Sequence, residues 1–549
     1  MSLPLPERAP LTHVSRRGIL KLGAIGLTGV SASLAAATGG GEFTHGVASG
    51  EPGPQQVLLW TRYGASADTR LVWEVAEDTE FAKVVAAGDV IASPANDGCV
   101  KAWVRGLAPG KWYYYRFVAP SGARSVIGRT RTLPVGRVPR FRMAVFSCSN
   151  YGFGWFNAYA HAAENADFDL ALHLGDYFYE YQRGTYPTAK QTQPGRILPV
   201  TEAVTLAEYR ERLATYRSDP DLQRIHQILP MVVMWDDHES ANDAWQNGAE
   251  NHQPGEGDWA VRKAASHRAW REWMPVSDDD WAAYEIGNLA TIFKLETRHT
   301  ARTRPLDLQA AFRSAAPEQT DAALTALRDG AWRDPARTLL GTTQEAWLAA
   351  GLKASTRARK PWQVLAQQII MGSLSMGAEV AEGMSSAAPD WLKQRIQASV
   401  AGSKLGLPLN MDAWDGYPAA RERVFGAALA ADANLLVLAG DSHNAWAFDL
   451  DHKGARVGVE MAGHSVTSPG SESSVAWKQP ADLARIAVQT NPQLQWCDTA
   501  QRGYMAVELT PTAAHSEWRF LQTVRQRGTA LAGSKRMTVL AGQRKFQGS

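Results

Sequence analysis

The chain has 549 residues and a mass of 59.8 kDa, which exceeds what one hydrophobic core usually organises, so the sequence predicts two domains. Its 57 basic and 55 acidic side chains are nearly balanced, and this balance gives no reason to expect nucleic acid or another polyanionic partner. Three cysteines at distant positions, Cys99, Cys148 and Cys497, exclude a disulfide framework and leave at least one thiol free.

The first forty residues have the pattern of a transport signal. The segment SRRGILK at 15–21 is a nearly complete twin-arginine motif, followed by an apolar stretch at 22–34 and an Ala run at 35–37. The stretch is short and Gly-rich for a membrane anchor, which favours a twin-arginine signal peptide over residues 1–40. We therefore expect the twin-arginine translocase as a partner during export and a periplasmic or secreted location. No later segment is apolar enough to predict a transmembrane helix.

Residues 41–135 predict a β-domain. Short runs rich in β-branched and aromatic residues, separated by Gly and Pro, occupy positions 57–62, 71–75, 101–105 and 112–118. Strands at this spacing are typical of an antiparallel sandwich of fibronectin or immunoglobulin type. Nothing in this region groups ionisable side chains, so its expected role is packing or substrate presentation.

After residue 134 the pattern changes to apolar strands separated by helical stretches such as 205–217 and 259–273. Four of these strands end in polar residues: 141–146, 169–174, 231–235 and 434–439. Buried strands that deliver polar residues at their carboxyl ends predict an α/β layered domain with its site along those ends. Residues 301–340 lack a strand pattern and are expected to form a surface excursion.

Asp176 follows one of these strands directly after Gly175, and Tyr179 comes three positions later. A carboxylate at the end of a strand can bridge two metal ions, and a phenolate one turn further on can bind one of them. A Gly-Asp pair alone is more often a turn. The interpretation as a metal site therefore depends on the other strand ends.

Two further strand ends combine carboxylates with an imidazole: DDHE at 236–239 and DSH at 441–443. The first could simply cap a helix. Crowded carboxylates repel one another unless a cation or a proton intervenes, however, so a metal is the simpler explanation. Cys148 ends a strand in the same way. A lone cysteine is more often an inert core residue, but beside these motifs a thiolate ligand is the better hypothesis.

The ligand types indicate which metals to expect. Thiolate, phenolate and imidazole together indicate a Lewis-acidic transition metal, and the phenolate favours ferric iron over zinc. Carboxylate and amide oxygens suit a hard cation such as calcium or magnesium, and the candidates are Asp236, Asp237, Asn242 and Asp441. With two or more cations in one site, a bound water loses its proton near neutral pH and becomes the nucleophile.

These segments resemble those of the PhoD-type alkaline phosphatases, within the wider group of metallophosphoesterases and purple acid phosphatases. The resemblance covers nearly the whole chain after the signal. It is carried by FTHGVASG at 43–50, LWTR at 59–62, GRTRT at 128–132, SCS at 147–149, HLGDYFYEY at 173–181, YRSDP at 216–220, DDHE at 236–239, WDGYP at 414–418 and GDSH at 440–443.

The resemblance implies an α+β two-domain chain. A fibronectin- or immunoglobulin-like β-sandwich (41–135) would be followed by a four-layer α/β/β/α metallophosphoesterase domain (140–525) and a basic C-terminal tail (526–549). It also implies one Fe³⁺ and one or two Ca²⁺ ions. The implied iron ligands are Cys148, Tyr179 and His443, with Asp176 bridging to calcium. The implied calcium ligands are Asp237 and Asp441, with Asp236 and Asn242 as further candidates.

Where the family often has paired Asn, this chain has Asn242 followed by Asp243, which leaves the choice between the two as ligand open. His238 matches the position that contacts phosphate or protonates the leaving group in related enzymes, so His238 and Asp176 are the expected catalytic residues. Arg298 and Arg302 follow residues 295–297 and could bind phosphate, but structural ion pairs are the commoner role of such arginines. His464 either lines the pocket or packs in the core.

The expected activity is hydrolysis of phosphate monoesters, with some capacity for diesters, by a metal-activated hydroxide at alkaline pH. Expected substrates are small phosphate esters, including phospholipid and nucleotide esters. The alternative within enzymes is a phosphodiesterase of phospholipase D type. The alternative from another class is a secreted binding protein that has lost its chemistry, and the presence of every implied ligand argues against it.

Overall fold

A computed structural model describes residues 42–548, except 65, 166, 385–389 and 475–479. The predicted signal peptide lies outside the described residues. The N-terminal part of the described chain is built of β-strands, in agreement with the predicted β-rich region. The first seven strands are β1 Phe43–Gly50, β2 Gln56–Tyr63, β3 Thr69–Ala76, β4 Val84–Ala92, β5 Cys99–Arg105, β6 Trp112–Val118 and β7 Gly128–Arg131.

These strands form two antiparallel sheets, one in the order β1-β2-β5 and one in the order β4-β3-β6-β7. Their side chains alternate between buried and less buried positions, as in β6, where Tyr113, Tyr115 and Phe117 are buried. The period of two follows from the pleat of a strand. Buried residues of both sheets, for example Leu59 and Val75, belong to one hydrophobic cluster.

The remaining strands form two mixed sheets. Their bounds are β8 Phe141–Phe146, β9 Leu170–His173, β10 Met231–Val233, β11 Ala282–Ile286, β12 Ala290–Lys294, β13 Trp362–Ala366, β14 Leu435–Ala439, β15 Ala445–His452, β16 Ala455–Ala462, β17 Leu494–Asp498, β18 Gly503–Leu509, β19 Ala513–Leu521 and β20 Leu531–Leu540. One sheet has the order β10-β9-β8-β18-β19-β20, and the other has the order β11-β12-β13-β14-β16-β15-β17.

Helices accompany both mixed sheets, as expected for an α+β chain. They are α1 Asn157–Glu164, α2 Leu206–Arg217, α3 Pro220–Ile228, α4 Trp259–Trp273, α5 Leu308–Ser314, α6 Thr320–Asp329, α7 Gly341–Arg357, α8 Ala378–Glu382, α9 Asp390–Lys404, α10 Pro418–Ala430, α11 Ser471–Ser474 and α12 Pro480–Thr490. One hydrophobic cluster contains residues from both mixed sheets, such as Leu172 and Leu438. A cluster with α1–α4 packs on the first sheet, and a cluster with α7 and α10 packs on the second.

The parallel strands position the site. β8, β9 and β10 run parallel in one sheet, whereas β14 runs parallel to β13 and β16 in the other. The polar residues predicted at four strand ends therefore come from two sheets. The two sets converge because buried residues of both sheets belong to one hydrophobic cluster.

The ends of the chain differ from expectation in one respect. Residues 526–549 are expected to be a tail, but Leu531–Leu540 form β20, which pairs with β19 along its length. Residues 301–340 contain helices α5 and α6 and no strand, in agreement with the predicted absence of a strand pattern. In the described part of the chain, no helix combines the length and apolar character needed to cross a bilayer.

A buried arginine secures the segment that follows Cys148. Arg196 is almost fully buried, and its Nε donates to the carbonyls of Tyr151 (3.0 Å) and Gly154 (2.9 Å). Its guanidinium lies 3.6 Å from the centre of the Tyr151 ring and forms an ion pair with Asp219, the residue that caps α3. This single side chain therefore joins the loop after β8 to the helix that precedes β10.

We expect Arg196→Met to destabilise the protein by about 3–5 kcal/mol, because it leaves the buried Asp219 carboxylate without a counter-charge. Urea unfolding monitored by tryptophan fluorescence measures the change. Asp219→Asn in the same background should recover part of the loss. The control is Arg70→Met, which removes an exposed ion pair with Asp89 and should leave the midpoint unchanged. Equal midpoints for Arg196→Met and the wild type would contradict the assignment.

Candidate metal centre

The residues after the parallel strands adopt a backbone conformation that side chains rarely tolerate. φ is 58° at Cys148, 53° at Asp176, 61° at Asp441 and 61° at His443. A left-handed conformation costs a non-glycine residue on the order of 1–3 kcal/mol, and such residues cluster at functional sites. Four of them at the ends of β8, β9 and β14 show that tertiary structure imposes these turns.

Gly175 allows two of the strand ends to approach. Its φ is 109°, and a Cβ placed on it would lie 2.4 Å from Cβ of Asp236. The backbone amide of Cys148 also donates to the carbonyl of Gly175 at 3.1 Å. The ends of β8, β9 and β10 are thus packed backbone to backbone at this glycine.

The candidate iron ligands meet around Asp176. Ligand atoms of Cys148, Asp176 and His443 all lie within 4.8 Å of one another. The Tyr179 hydroxyl lies 3.0 Å from Oδ2 of Asp176 and 3.1 Å from Nε2 of His443. Ser468 donates to the same hydroxyl at 2.7 Å. The structure therefore brings all four predicted residues together.

The hydrogen bond of His443 fixes which of its nitrogens faces the centre. Nδ1 lies 2.8 Å from the carbonyl oxygen of Pro469, which can only accept, so Nδ1 carries the proton. In the neutral imidazole Nε2 is then the nitrogen with the free lone pair, and it lies 3.1 Å from the Tyr179 hydroxyl. This is the tautomer that a metal-binding histidine uses.

The predicted calcium ligands form an adjoining group. Ligand atoms of Asp236, Asp237 and Asp441 lie within 4.8 Å of one another, and Asp237 also groups with Asp176 and His238. Asp176 and Asp237 are therefore each shared between two neighbouring groups. A carboxylate in that position is suited to bridge two cations.

Arg298 lies among these carboxylates, fully buried. Its guanidinium forms an ion pair with Asp236, contacts Asp412 at 2.6 Å and Asp441 at 2.8 Å, and lies 3.8 Å from Asp237. The expectation of a structural ion pair for Arg298 agrees with these contacts. The contacts also show what the sequence did not indicate, that the pairing takes place inside the carboxylate cluster. Arg302 pairs with Asp412 behind it.

The charges of the cluster test whether cations fit. Two guanidiniums, Arg298 and Arg302, face six carboxylates: Asp176, Asp236, Asp237, Asp243, Asp412 and Asp441. Burial raises the pKa of Asp441 to about 7 despite Arg298, and burial raises the pKa of Asp236 well above its usual value. Without bound cations, the protein therefore disfavours a cluster in which every carboxyl group is ionised. Bound positive ions would stabilise the ionised carboxylates.

The other donors support the same conclusion. Burial, followed by the charge of Asp176, raises the pKa of the Cys148 thiol and of the Tyr179 phenol well above their usual values. Across the described residues, no hydrogen-bond donor reaches Oδ1 of Asp176 or Oδ2 of Asp236, although both oxygens are buried. Unpartnered buried oxygens beside a buried thiol and phenol fit a centre that binds metal ions.

His238 is held by a buried carboxylate. Its Nδ1 lies 2.7 Å from Oε2 of Glu180, and its ring packs 4.2 Å from the ring of Tyr179. Burial alone would lower the pKa of His238, but the carboxylates of Glu180 and Asp237 raise it well above its usual value. The imidazole therefore keeps a fixed orientation, with Nε2 as its free nitrogen.

Asn242 and Asp243 differ in orientation. The Asn242 amide donates to Glu250 at 3.1 Å, and its backbone N–H donates to Glu180 at 2.8 Å. Asp243 donates its backbone N–H to Asp237, and burial and the nearby Asp412 carboxylate raise the pKa of its own carboxyl group. Of the two, the Asp243 carboxyl group is the one that interacts with the cluster.

Three residues of this site were not among the predicted ligands, although one of them, Glu239, lies in the DDHE motif. Glu239 accepts from the backbone amides of Asp176 and Asp236 at 3.3 and 2.7 Å, and so joins two strand ends; burial raises its pKa to about 8. Asp412 and Ser468 come from loops without a strand signal. Arg298 did have a strand signal before it, because it follows strand β12 in the same way that the ligands follow their strands. His464 lies apart, with Nε2 at 3.0 Å from the carbonyl of Arg519.

Comparison with known proteins gives consistent matches. The sequence profile of the family described as PhoD-like phosphatase matches residues 143–518, and that of the PhoD-like phosphatase N-terminal domain matches residues 29–134. The chain is 35% identical over 516 residues to alkaline phosphatase D of Bacillus subtilis strain 168, covering 89% of this chain and 79% of that protein. A solved structure of PhoD aligns with a TM-score of 0.74 and 31% identity over 92% of each chain.

We expect Gly175→Ala to abolish the centre, since the new Cβ would lie 2.4 Å from Cβ of Asp236 and 3.0 Å from its amide nitrogen. Phosphatase activity and metal content of the purified protein should both fall at least about tenfold, because a displacement of about 1 Å is costly at a site that positions reacting groups. The matched control is Gly184→Ala, at φ 88° with no atom within 4 Å of the added Cβ. The Gly184→Ala variant has only the strain of a non-glycine residue at positive φ, without a steric clash. Equal activity of the two variants would contradict the packing argument.

Proposed function

Since the chain belongs to the PhoD-like phosphatase family and is a phosphoric ester hydrolase, we propose that it hydrolyses phosphate monoesters at the candidate metal centre and accepts some diesters. The observation that carries this proposal is the buried group of Cys148, Asp176 and His443 beside the group of Asp236, Asp237 and Asp441. Burying several carboxylates together costs folding free energy, and a binding protein that catalyses no reaction has no need for it. A phosphodiesterase of phospholipase D type remains the alternative within the same centre.

The donor types support a proposal for which metals bind. Cys148, Tyr179 and Nε2 of His443 would hold Fe³⁺, because sulfur, phenolate and imidazole suit a transition metal. Asp237 and Asp441 would hold Ca²⁺, because carboxylate oxygens suit a hard cation, with Asp236 and Asp243 beside them and Asp176 shared between the two metals. We propose Asp243 in place of Asn242, since the Asn242 side chain donates through Nδ2 to Glu250, whereas the backbone N–H of Asp243 donates to Asp237 of the cluster. When bound, such ions act as Lewis acids that acidify water and withdraw charge from phosphoryl oxygens.

The protein's own groups orient the reaction. Glu180 accepts the Nδ1 proton of His238, so Nε2 is the atom that can donate a proton to the leaving oxygen of the ester. Glu239 holds the amides of Asp176 and Asp236, which fixes the spacing of the two carboxylates. Ser468 orients the Tyr179 hydroxyl. Each of these contacts is buried, so the groups are positioned before substrate binds.

The proposal also includes the cellular location of the protein and the arrangement of sheets and helices in its two domains. The twin-arginine motif at 15–21 supports export to the periplasm or beyond, after the chain has folded and acquired its metals. Family membership and the shared cluster of the first two sheets support a fibronectin- or immunoglobulin-like sandwich for 41–135. The three clusters on and between the mixed sheets support α/β/β/α layering for 140–525.

We expect Cys148→Ala to lose most of its iron and to lower activity at least about 100-fold, because the substitution removes a direct ligand rather than one of the outer contacts, which are themselves worth 10–100-fold. Elemental analysis of folded, purified protein gives iron and calcium per chain. Cys497→Ala is the matched control, since it removes another buried free thiol and should keep both metals. Iron retained by Cys148→Ala, or zinc in the wild type, would exclude this ligand set.

We expect His238→Gln to keep both metals and to lower kcat about 100-fold, because it removes proton donation to the leaving oxygen. The loss should be larger for an alkyl phosphate than for 4-nitrophenyl phosphate, whose leaving group needs little protonation. Glu180→Gln should show the same pattern with a smaller loss, since it only weakens the orientation of His238. A uniform loss across leaving groups would instead assign His238 to phosphate binding.

A further inference from the structure

A cavity of about 800 Å³ opens beside the carboxylate cluster. Its inner wall includes Asp243 and Asp412, and Asp412 holds both Arg298 and Arg302 of the metal centre. The volume falls within the range of small-molecule sites. The cavity therefore adjoins the carboxylate cluster on the side of Asp243 and Asp412.

Part of the cavity lining offers an apolar contact surface. It includes Trp245, Leu306, Leu409 and Met411, which come from three segments of the chain. The guanidinium carbon of Arg304 lies 5.3 Å from the centre of the Trp245 ring. An aromatic or apolar group of the substrate could pack on this surface, with a cation close by.

The charged groups that line the cavity differ in their hydrogen-bond and ion-pair partners. Glu250 accepts from Asn242 at 3.1 Å, Asp307 accepts from the backbone amide of Ala310 at 2.8 Å, and Asp412 is paired with arginine. The backbone N–H of Asp243 donates to Asp237 of the carboxylate cluster. Throughout the part of the chain that the structure describes, no carboxylate pairs with Arg304 or Arg395, and both line the cavity.

We propose that this cavity is the subsite for the alcohol group of the ester, and that Arg304 and Arg395 select alcohols that carry an anionic group of their own. Arg304 precedes α5 and Arg395 lies on α9, so the two cations belong to separate elements of the cavity wall. A guanidinium binds phosphate or carboxylate with two parallel hydrogen bonds. The proposal rests on the proposed function, because it places the scissile phosphate at the metal centre.

Three aryl phosphates that differ only in charge at the far end test the proposal. They are 4-(carboxymethyl)phenyl, 4-methylphenyl and 4-(aminomethyl)phenyl phosphate, in which a methylene group separates the charge from the ring. For the metal-loaded protein at low ionic strength, we expect kcat/KM for the carboxymethyl ester to exceed that for the aminomethyl ester at least about tenfold. Added 0.5 M NaCl should reduce the ratio, because the cations are exposed.

The double variant Arg304→Gln/Arg395→Gln should bring this ratio to one or below, because the carboxylates of Glu250 and Asp307 remain in the cavity wall. The matched control is Arg357→Gln, which removes an exposed cation on α7 away from the cavity and should keep the wild-type ratio. A wild-type preference for the aminomethyl ester would mean that Glu250 and Asp307 dominate, and would overturn the proposal. So would a ratio near one in the wild type, or a ratio unchanged in the double variant.

Binding of the corresponding benzylphosphonates separates this proposal from the proposed function. Calorimetry should give the carboxymethyl compound at least about tenfold tighter binding than the aminomethyl compound, for the same electrostatic reason. Binding with this preference but without hydrolysis of any ester would contradict the proposed function and leave the subsite supported. Hydrolysis of all three esters at equal rates would contradict the subsite alone.

Discussion

Mutual repulsion among buried carboxylates is the constraint on which the rest of this structure depends. Burying one unpaired carboxylate is costly, and burying several together is tolerated only with protons, cationic side chains or metal ions between them. Arg298 supplies part of the compensation, since it contacts Asp236, Asp412 and Asp441 at once. The remaining negative charge is the physical reason for the metal ions that we propose at this centre.

The fold supplies the rigidity that such a cluster requires. Parallel strands deliver their carboxyl ends to one edge, and the packing of two sheets over a common core brings two such edges together. Left-handed turns at Cys148, Asp176 and Asp441 point the side chains inward, at a cost in backbone strain that the surrounding core sustains. Gly175 and Glu239 then fix the distance between neighbouring strand ends through backbone contacts.

The same constraint separates the residues that form the centre from the residues that select the substrate. Groups within the cluster are tied to one another and have little freedom to respond to different substrates. Discrimination among esters therefore falls to the adjoining cavity, whose arginines are exposed and unpaired by carboxylates of the described chain. In such an arrangement the same kind of centre can catalyse the reaction throughout a protein family, while the loops around it determine which esters each member prefers.

The sequence by itself determined the residue types of the centre and the strand ends that carry them, because a polar run after an apolar strand is a local pattern that reads directly from Asp176, Asp237 and His443. It also indicated the β-rich N-terminal region through short runs of β-branched and aromatic residues separated by Gly and Pro. Only the tertiary structure decided that Asp441 arrives from a second sheet, that Arg298 sits inside the cluster, and that Asp243 rather than Asn242 interacts with the cluster. These depend on contacts between residues far apart in the chain, for which local periodicity carries no signal.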